Sequence, residues 1–304
     1  MTYEEITFTS AGTQLHGWHF AGAGDTLAGE TGRPVVVMAH GFGGTKDSGL
    51  EPFAVGLVKA GLDVVAFDYR GFGSSQGEPR QQVRIADQVD DYRAAIAAAA
   101  KLPGVDARRI VLWGVSLAGG HVLSAAAHRD DVAAVVALTP LVDGLAAARL
   151  AAKHVPPSAM ARSTFAGLRS KVSTARGRGP VTMPIVGKPG EMAALSLPGQ
   201  YEDYLAIAGP SWRNEIDATV GFELGGLKAG KDAEHVTAPL LVQVADFDRG
   251  APVDAAMKAA FAGRAEVRHY PCDHFDVWPG KDWFEPALRH QVEFLRRHLL
   301  TDVQ

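Results

Sequence analysis

Four short stretches of this chain hold groups able to move protons or to steady a developing charge. Each follows an apolar run that reads as a strand. Gly114-Val115-Ser116-Leu117-Ala118 places a hydroxyl where residues 109–113 end and a helical pattern begins. Small neighbours let a serine stand on a sharp strand-to-helix turn with its oxygen projecting. The N–H of Leu117 then faces the same space, at a helix N-terminus that favours negative charge. In His40-Gly41-Phe42-Gly43-Gly44 the glycines let the backbone fold back, so that an N–H, that of Phe42, aims at an oxyanion. Ala245-Asp246-Phe247-Asp248 supplies two carboxylates, and Cys272-Asp273-His274-Phe275 an imidazole. A base from one strand end and a carboxylate from another are able to converge on Ser116, because open α/β sheets bind ligands beyond the carboxyl ends of their strands.

The elements that must position these groups follow from the hydrophobic pattern. Residues 6–8 alternate apolar and polar, and with 15–18 they read as an antiparallel hairpin around Ser10-Ala11-Gly12. Residues 35–39, 62–67, 109–113 and 132–138 are strands, the first apolar at consecutive positions as a strand buried on both faces should be. Helices are expected from near Lys46 to Ala60, over 84–100 and over 117–128. Strand and helix therefore alternate with short links, which implies right-handed crossovers and a mostly parallel sheet with helices on both faces. From 143 to 236 that rhythm breaks: prolines interrupt short helical pieces and no buried strand stands out. Alternation resumes with strands at 240–245 and 266–270 and helices at 253–262 and 283–300. An interruption of this length is too long for a plain loop. The division expected is an α/β core of 1–142 and 237–304 with a helical lid, 143–236, inserted over one edge of the sheet.

With these four motifs in this order, the chain resembles the α/β-hydrolase superfamily over nearly its full length. Serine, then acid, then histidine is that family's order. The Asp68-Tyr69-Arg70-Gly71-Phe72-Gly73-Ser74 turn and the lid after the fourth buried strand are similar too. The resemblance implies Ser116 as nucleophile, His274 as general base and then acid, Asp248 as the residue orienting His274, and Phe42 and Leu117 as oxyanion donors. Asp248 stands four residues before Pro252, the family's usual spacing, and is preferred over Asp246. One departure is Ala118, where the commonest elbow has glycine; Gly119 and Gly120 follow at once.

The implied chemistry is acyl transfer to water by a serine esterase of the esterase and prolyl-peptidase-like branch. The first-choice substrate is a carboxylic ester with a small to medium apolar acyl group. A thioester, an amide or peptide, and a carbon–carbon bond are alternatives, and a non-catalytic ligand-binding protein is the rival from another class. Met183, Tyr201, Tyr204, Trp212 and Phe222 are the lid residues expected to supply a pocket, unless they form the lid's own small core. His40 is read as structural, holding the oxyanion loop, and Cys272 as a buried inert thiol. Neither a metal nor a cofactor is expected: Cys272, Asp273, His274 and Asp276 have ligand chemistry, but alternate positions at a strand end point different ways. No GK[ST] ending or G-x-G-x-x-G turn marks a nucleotide site.

A net charge of −4 draws the chain neither to nucleic acid nor to anionic lipid. Absence of a signal-peptide pattern and a single cysteine point to the cytoplasm. The expected partner is a small-molecule substrate, with self-association left open.

Overall fold

The computed structural model describes residues 2–300. Its main sheet has eight strands in the order β1-β2-β4-β3-β5-β6-β9-β10 among the described residues. β1 (Glu4–Ser10) and β2 (Thr13–Phe20) form the expected hairpin, and β2 runs antiparallel to β4 (Asp63–Phe67). The remaining pairs are parallel: β4 with β3 (Arg33–Ala39), then β5 (Val105–Val115), β6 (Val132–Leu138), β9 (Leu240–Ala245) and β10 (Glu266–Tyr270). All side chains of β4 and β9 are buried, as are those of β3 after Arg33, which is why these runs are apolar except for Asp63 and Gln243, both hydrogen-bonded.

Helices cover the sheet in two groups. α1 (Glu51–Lys59) packs against α9 (Phe284–Leu299), so closely that a methyl group at Gly56 would meet Leu288. α2 (Ile85–Ala99), α3 (Leu117–Ala126) and α8 (Val253–Ala262) form the other group, the last two linked through a 3-10 turn at Ala229–His235. Trp113 of β5 meets the ring of Phe53 of α1 at a tilt, centroids 5.1 Å apart, and donates its indole N–H to Gln291 of α9 at 3.0 Å. Gln291 in turn donates to Gln243 of β9 (2.7 Å), which donates to Tyr270 Oη (2.6 Å) and to the Ala287 carbonyl (2.9 Å). This buried amide chain satisfies itself and ties α9 across three strands, as low-dielectric surroundings require.

α1 begins at Glu51 and not near Lys46 as expected. Gly49 takes φ +70, which ends any helical path from the preceding turn, and Lys46 turns inward to Asp68. Between β6 and β9 lie α4 (Gly144–His154), α5 (Pro157–Ala175), α6 (Gln200–Ile207) and α7 (Val220–Gly225). They are joined by a two-stranded sheet that periodicity did not reveal: β7 (Thr182–Met183) against β8 (Ile216–Asp217). Two residues per strand are too few to show alternation. This segment shares the main core, since Met183, Ile185, Tyr204 and Ile216 belong to the same buried cluster as the sheet.

Candidate active site

Ser116 sits between β5 and α3 with φ +57 and ψ −119, a conformation that non-glycine residues rarely hold. It occupies the N-cap position, yet its hydroxyl caps no helix amide. Among the described residues Ser116 Oγ makes no hydrogen bond, either to the backbone or to His274. The turn is secured by its main chain instead: Ser116 N–H donates to the Leu138 carbonyl, and Leu141 N–H donates to the Ser116 carbonyl, each at 2.9 Å. A Cβ at Gly114 would lie 2.2 Å from the Ala118 carbonyl oxygen, one at Gly119 2.8 Å from Pro140, and one at Gly41 2.8 Å from Ser116 Cβ. Crowding therefore falls on Gly114, Gly119 and Gly41. Ala118, fully buried, fits where the commoner elbow has glycine.

The His40–Gly44 loop approaches this turn through Gly41. His40 Nδ1 lies 2.9 Å from the Gly41 carbonyl, and burial lowers the pKa of the imidazole despite nearby Asp68. The neutral ring thus donates from Nδ1 and braces the loop, as read from the sequence. Neither the Phe42 nor the Leu117 amide has an acceptor among the described residues. Two side chains from the segment after β6 hold the loop by its carbonyls: Tyr204 Oη donates to Phe42 (2.7 Å) and Trp212 Nε1 to Gly43 (3.1 Å). Tyr204 also meets the ring of Phe275, beside His274, with centroids 6.0 Å apart. The phenol is buried, and desolvation pushes its pKa well up, so it remains a donor.

At the ends of β9 and β10 the two candidate carboxylates separate cleanly. Asp248 Oδ2 lies 2.6 Å from His274 Nδ1, and both residues are buried. Its other oxygen accepts from the Gly250 (2.7 Å) and Ala251 (2.6 Å) amides. Asp246 pairs with His269 on the exposed side of the sheet edge. Burial pulls the pKa of His274 down, but the charge and hydrogen bond of Asp248, joined by Asp273, outweigh it and leave the imidazole above 6.5. Cys272 is buried, and desolvation with neighbouring carboxylates raises its thiol to about 12, so no thiolate forms near neutrality.

Sequence reasoning passed over Asp273 as anything but a metal-ligand type. It accepts the His274 amide (2.8 Å) and the Arg249 amide (3.0 Å) and pairs with the Arg249 guanidinium. Arg249 also donates to the Pro198 carbonyl (3.1 Å), tying the inserted segment to the loop that carries His274. An arginine beside Asp248 and an aspartate beside His274 were the available signal. Lys46 was missed as well. Its ammonium is buried against Asp68 (2.7 Å), and Asp68 also accepts the amides of Lys46 and Ser74. Arg70 reaches α2 through Asp91.

The other pocket candidates scatter. Met183 is buried in β7, Tyr201 is partly buried with Lys188 over its ring, and Phe222 is 40% exposed under Lys171.

A mostly parallel sheet, a strained serine after its central β5 and a His–Asp pair beyond β9 and β10 define a hydrolase-type architecture. The chain belongs to the α/β-hydrolase family: the model for the alpha/beta hydrolase fold matches residues 34–178. The quorum-quenching protein AidA of Acinetobacter baumannii is 35% identical over 271 residues, 88% of either chain. Thiohydrolase aneE of Aspergillus aculeatus is 36% identical over 143 residues, 47% of this chain and 43% of its own. The crystal structure of alpha/beta hydrolase GrgF from Penicillium shares the fold, with a TM-score of 0.78 at 22% identity, over 99% of this chain and 100% of that one. No helix among the described residues is long and apolar enough to cross a membrane.

Proposed function

We propose that this protein is a serine hydrolase that moves an acyl group from a carboxylic ester, or its thioester counterpart, to water through an acyl-enzyme on Ser116. The observation that carries this reading is the serine hydroxyl. It is held at φ +57, in the N-cap position, and does no capping. Backbone strain of about 1–3 kcal/mol persists only where the surroundings enforce it, and it gathers at reactive sites.

The Asp248–His274 hydrogen bond supports the following roles. Asp248 accepts from His274 Nδ1–H, which leaves Nε2 free to take the serine proton. Rotation about the Ser116 Cα–Cβ bond aims the hydroxyl, and such bonds tighten when substrate binds. The oxygen attacks the acyl carbon, and the tetrahedral oxyanion meets the Phe42 and Leu117 amides, each supplying about 3 kcal/mol. His274 returns the proton to the leaving group. A water deprotonated by His274 then hydrolyses the acyl-serine.

The segment 143–236 acts as a lid, with Tyr204 and Trp212 setting the oxyanion loop. An apolar acyl group of small to medium size suits such surroundings. The thiohydrolase relative speaks for keeping the thioester beside the ester. The single buried thiol suits a reducing cytoplasm.

The test is a series of p-nitrophenyl esters of rising chain length, with a matched thioester and a peptide alongside, on the wild type and Ser116→Ala. Short to medium esters are expected to turn over, and the variant to lose at least about 10³-fold in kcat while staying folded. Undiminished ester hydrolysis by Ser116→Ala removes the reading, and cleavage of the peptide alone redirects it to amides.

A further inference from the structure

Beyond the proposed catalytic trio, charge is most unevenly placed in the stretch 144–190. It holds eight of the 30 Lys and Arg and none of the 34 Asp and Glu, in a chain of net charge −4. From this stretch α4 brings Arg149 and Lys153 to the rim of a groove of about 690 Å³. Lys228 and Lys231 line it at the 3-10 turn, and Lys258 from α8. None of these five cations belongs to an ion pair among the described residues.

Three carboxylates share the groove, and two are already engaged. Asp143 caps the Ala146 amide at 2.8 Å, and Asp248 serves His274, Gly250 and Ala251. Asp254 is the third. The first turn of α8 also opens here, and the amides of Val253 and Asp254 have no acceptor among the described residues. Five like charges around one concavity repel one another, and a bound polyanion relieves that repulsion while accepting free helix amides. The volume is that of a small-molecule site.

The groove shares one residue with the proposed active site, Asp248, which lies on the Nδ1 side of the histidine that protonates the leaving group. We infer that it holds the phosphates of the leaving group, so that the acyl donor is a thioester on a phosphate-rich, nucleotide-type thiol carrier. This rests on the acyl-enzyme reading and adds its departing half. Ser116 Oγ bonds to the acyl carbon, the C–S bond breaks, and the thiolate takes from His274 the proton that came from Ser116. Water then releases the carboxylic acid. A thiol carried on a protein by a single phosphodiester leaves most of the five cations idle, so the free polyphosphate carrier is the better fit.

Coenzyme A is the probe. kcat/KM is measured for an acyl-coenzyme A and for the N-acetylcysteamine thioester of the same acyl group, across a salt titration. A preference for the coenzyme A thioester of about 10- to 100-fold at low salt is expected, shrinking as salt screens the groove. The double variant Lys228→Ala/Lys258→Ala reduces that preference about 10-fold, chiefly through KM, and Lys228→Arg/Lys258→Arg restores it. Equal rates on the two thioesters, a preference indifferent to salt and to these lysines, or faster turnover of the same acyl group on a carrier protein overturns the inference. If p-nitrophenyl esters are still cleaved in that event, the groove assignment alone has failed. If no acyl compound is cleaved, the Ser116 reading fails and takes the groove with it.

Discussion

At the residue scale, the competition between Asp246 and Asp248 gives a sharp contrast. Asp248 alone bonds His274, while Asp246 serves His269. Asp248→Asn is expected to lower kcat by about 10⁴-fold, and Asp246→Asn by less than about threefold, read from ester hydrolysis at saturation. The pH profile carries the same information. With His274 as the proposed base, activity is expected to fall as pH drops through its pKa, which Asp248 and Asp273 raise above the ordinary imidazole value despite burial. Asp248→Asn removes the largest raising influence and leaves burial, so whatever activity remains should keep its acid limb at lower pH. An unmoved limb would assign it to another group. Ser116, Asp248 and His274 could be nominated from the sequence because motif order and spacing are one-dimensional properties. The unused Ser116 hydroxyl and the Asp273–Arg249 brace were not legible, since hydrogen-bond partners from separate loops leave no spacing signature.

At the element scale, two aromatic side chains from the inserted segment hold the proposed oxyanion loop by its carbonyls. Tyr204→Phe deletes the bond to the Phe42 carbonyl and keeps the ring. It is expected to cost about 1 kcal/mol of stability by urea unfolding and to lower kcat about 10-fold with little change in KM. A fall in KM-dependent binding alone would make Tyr204 a pocket wall only. Strands buried on both faces were readable as apolar runs, and the observed β6, α8, β9 and β10 keep the expected bounds. The start of α1 was not, because Lys46-Asp47-Ser48 resembles an exposed helix start until Asp68 is known to lie against it. β7 and β8 were invisible for want of length.

For the molecule as a whole, the sheet is locked by buried polar groups as well as apolar packing. Lys46 and Asp68 form an ion pair hidden from water, so removing one partner strands the other. Lys46→Ala is expected to destabilise by about 3–5 kcal/mol, whereas the apolar near-isostere Lys46→Met with Asp68→Asn should recover part of that loss in urea unfolding. Fold class was legible because alternation of strand and helix admits few topologies. The groove beside α8 was not, since its five cations come from three separate parts of the chain. The central claim is that Ser116 is a nucleophile activated in a folded site. Its most direct measurement is reaction with a fluorophosphonate followed by peptide mass mapping. The account predicts one stoichiometric adduct, on Ser116, formed faster as pH rises past the His274 limb and lost in His274→Ala. An unlabelled Ser116, or an adduct on another serine with Ser116 untouched, would contradict it.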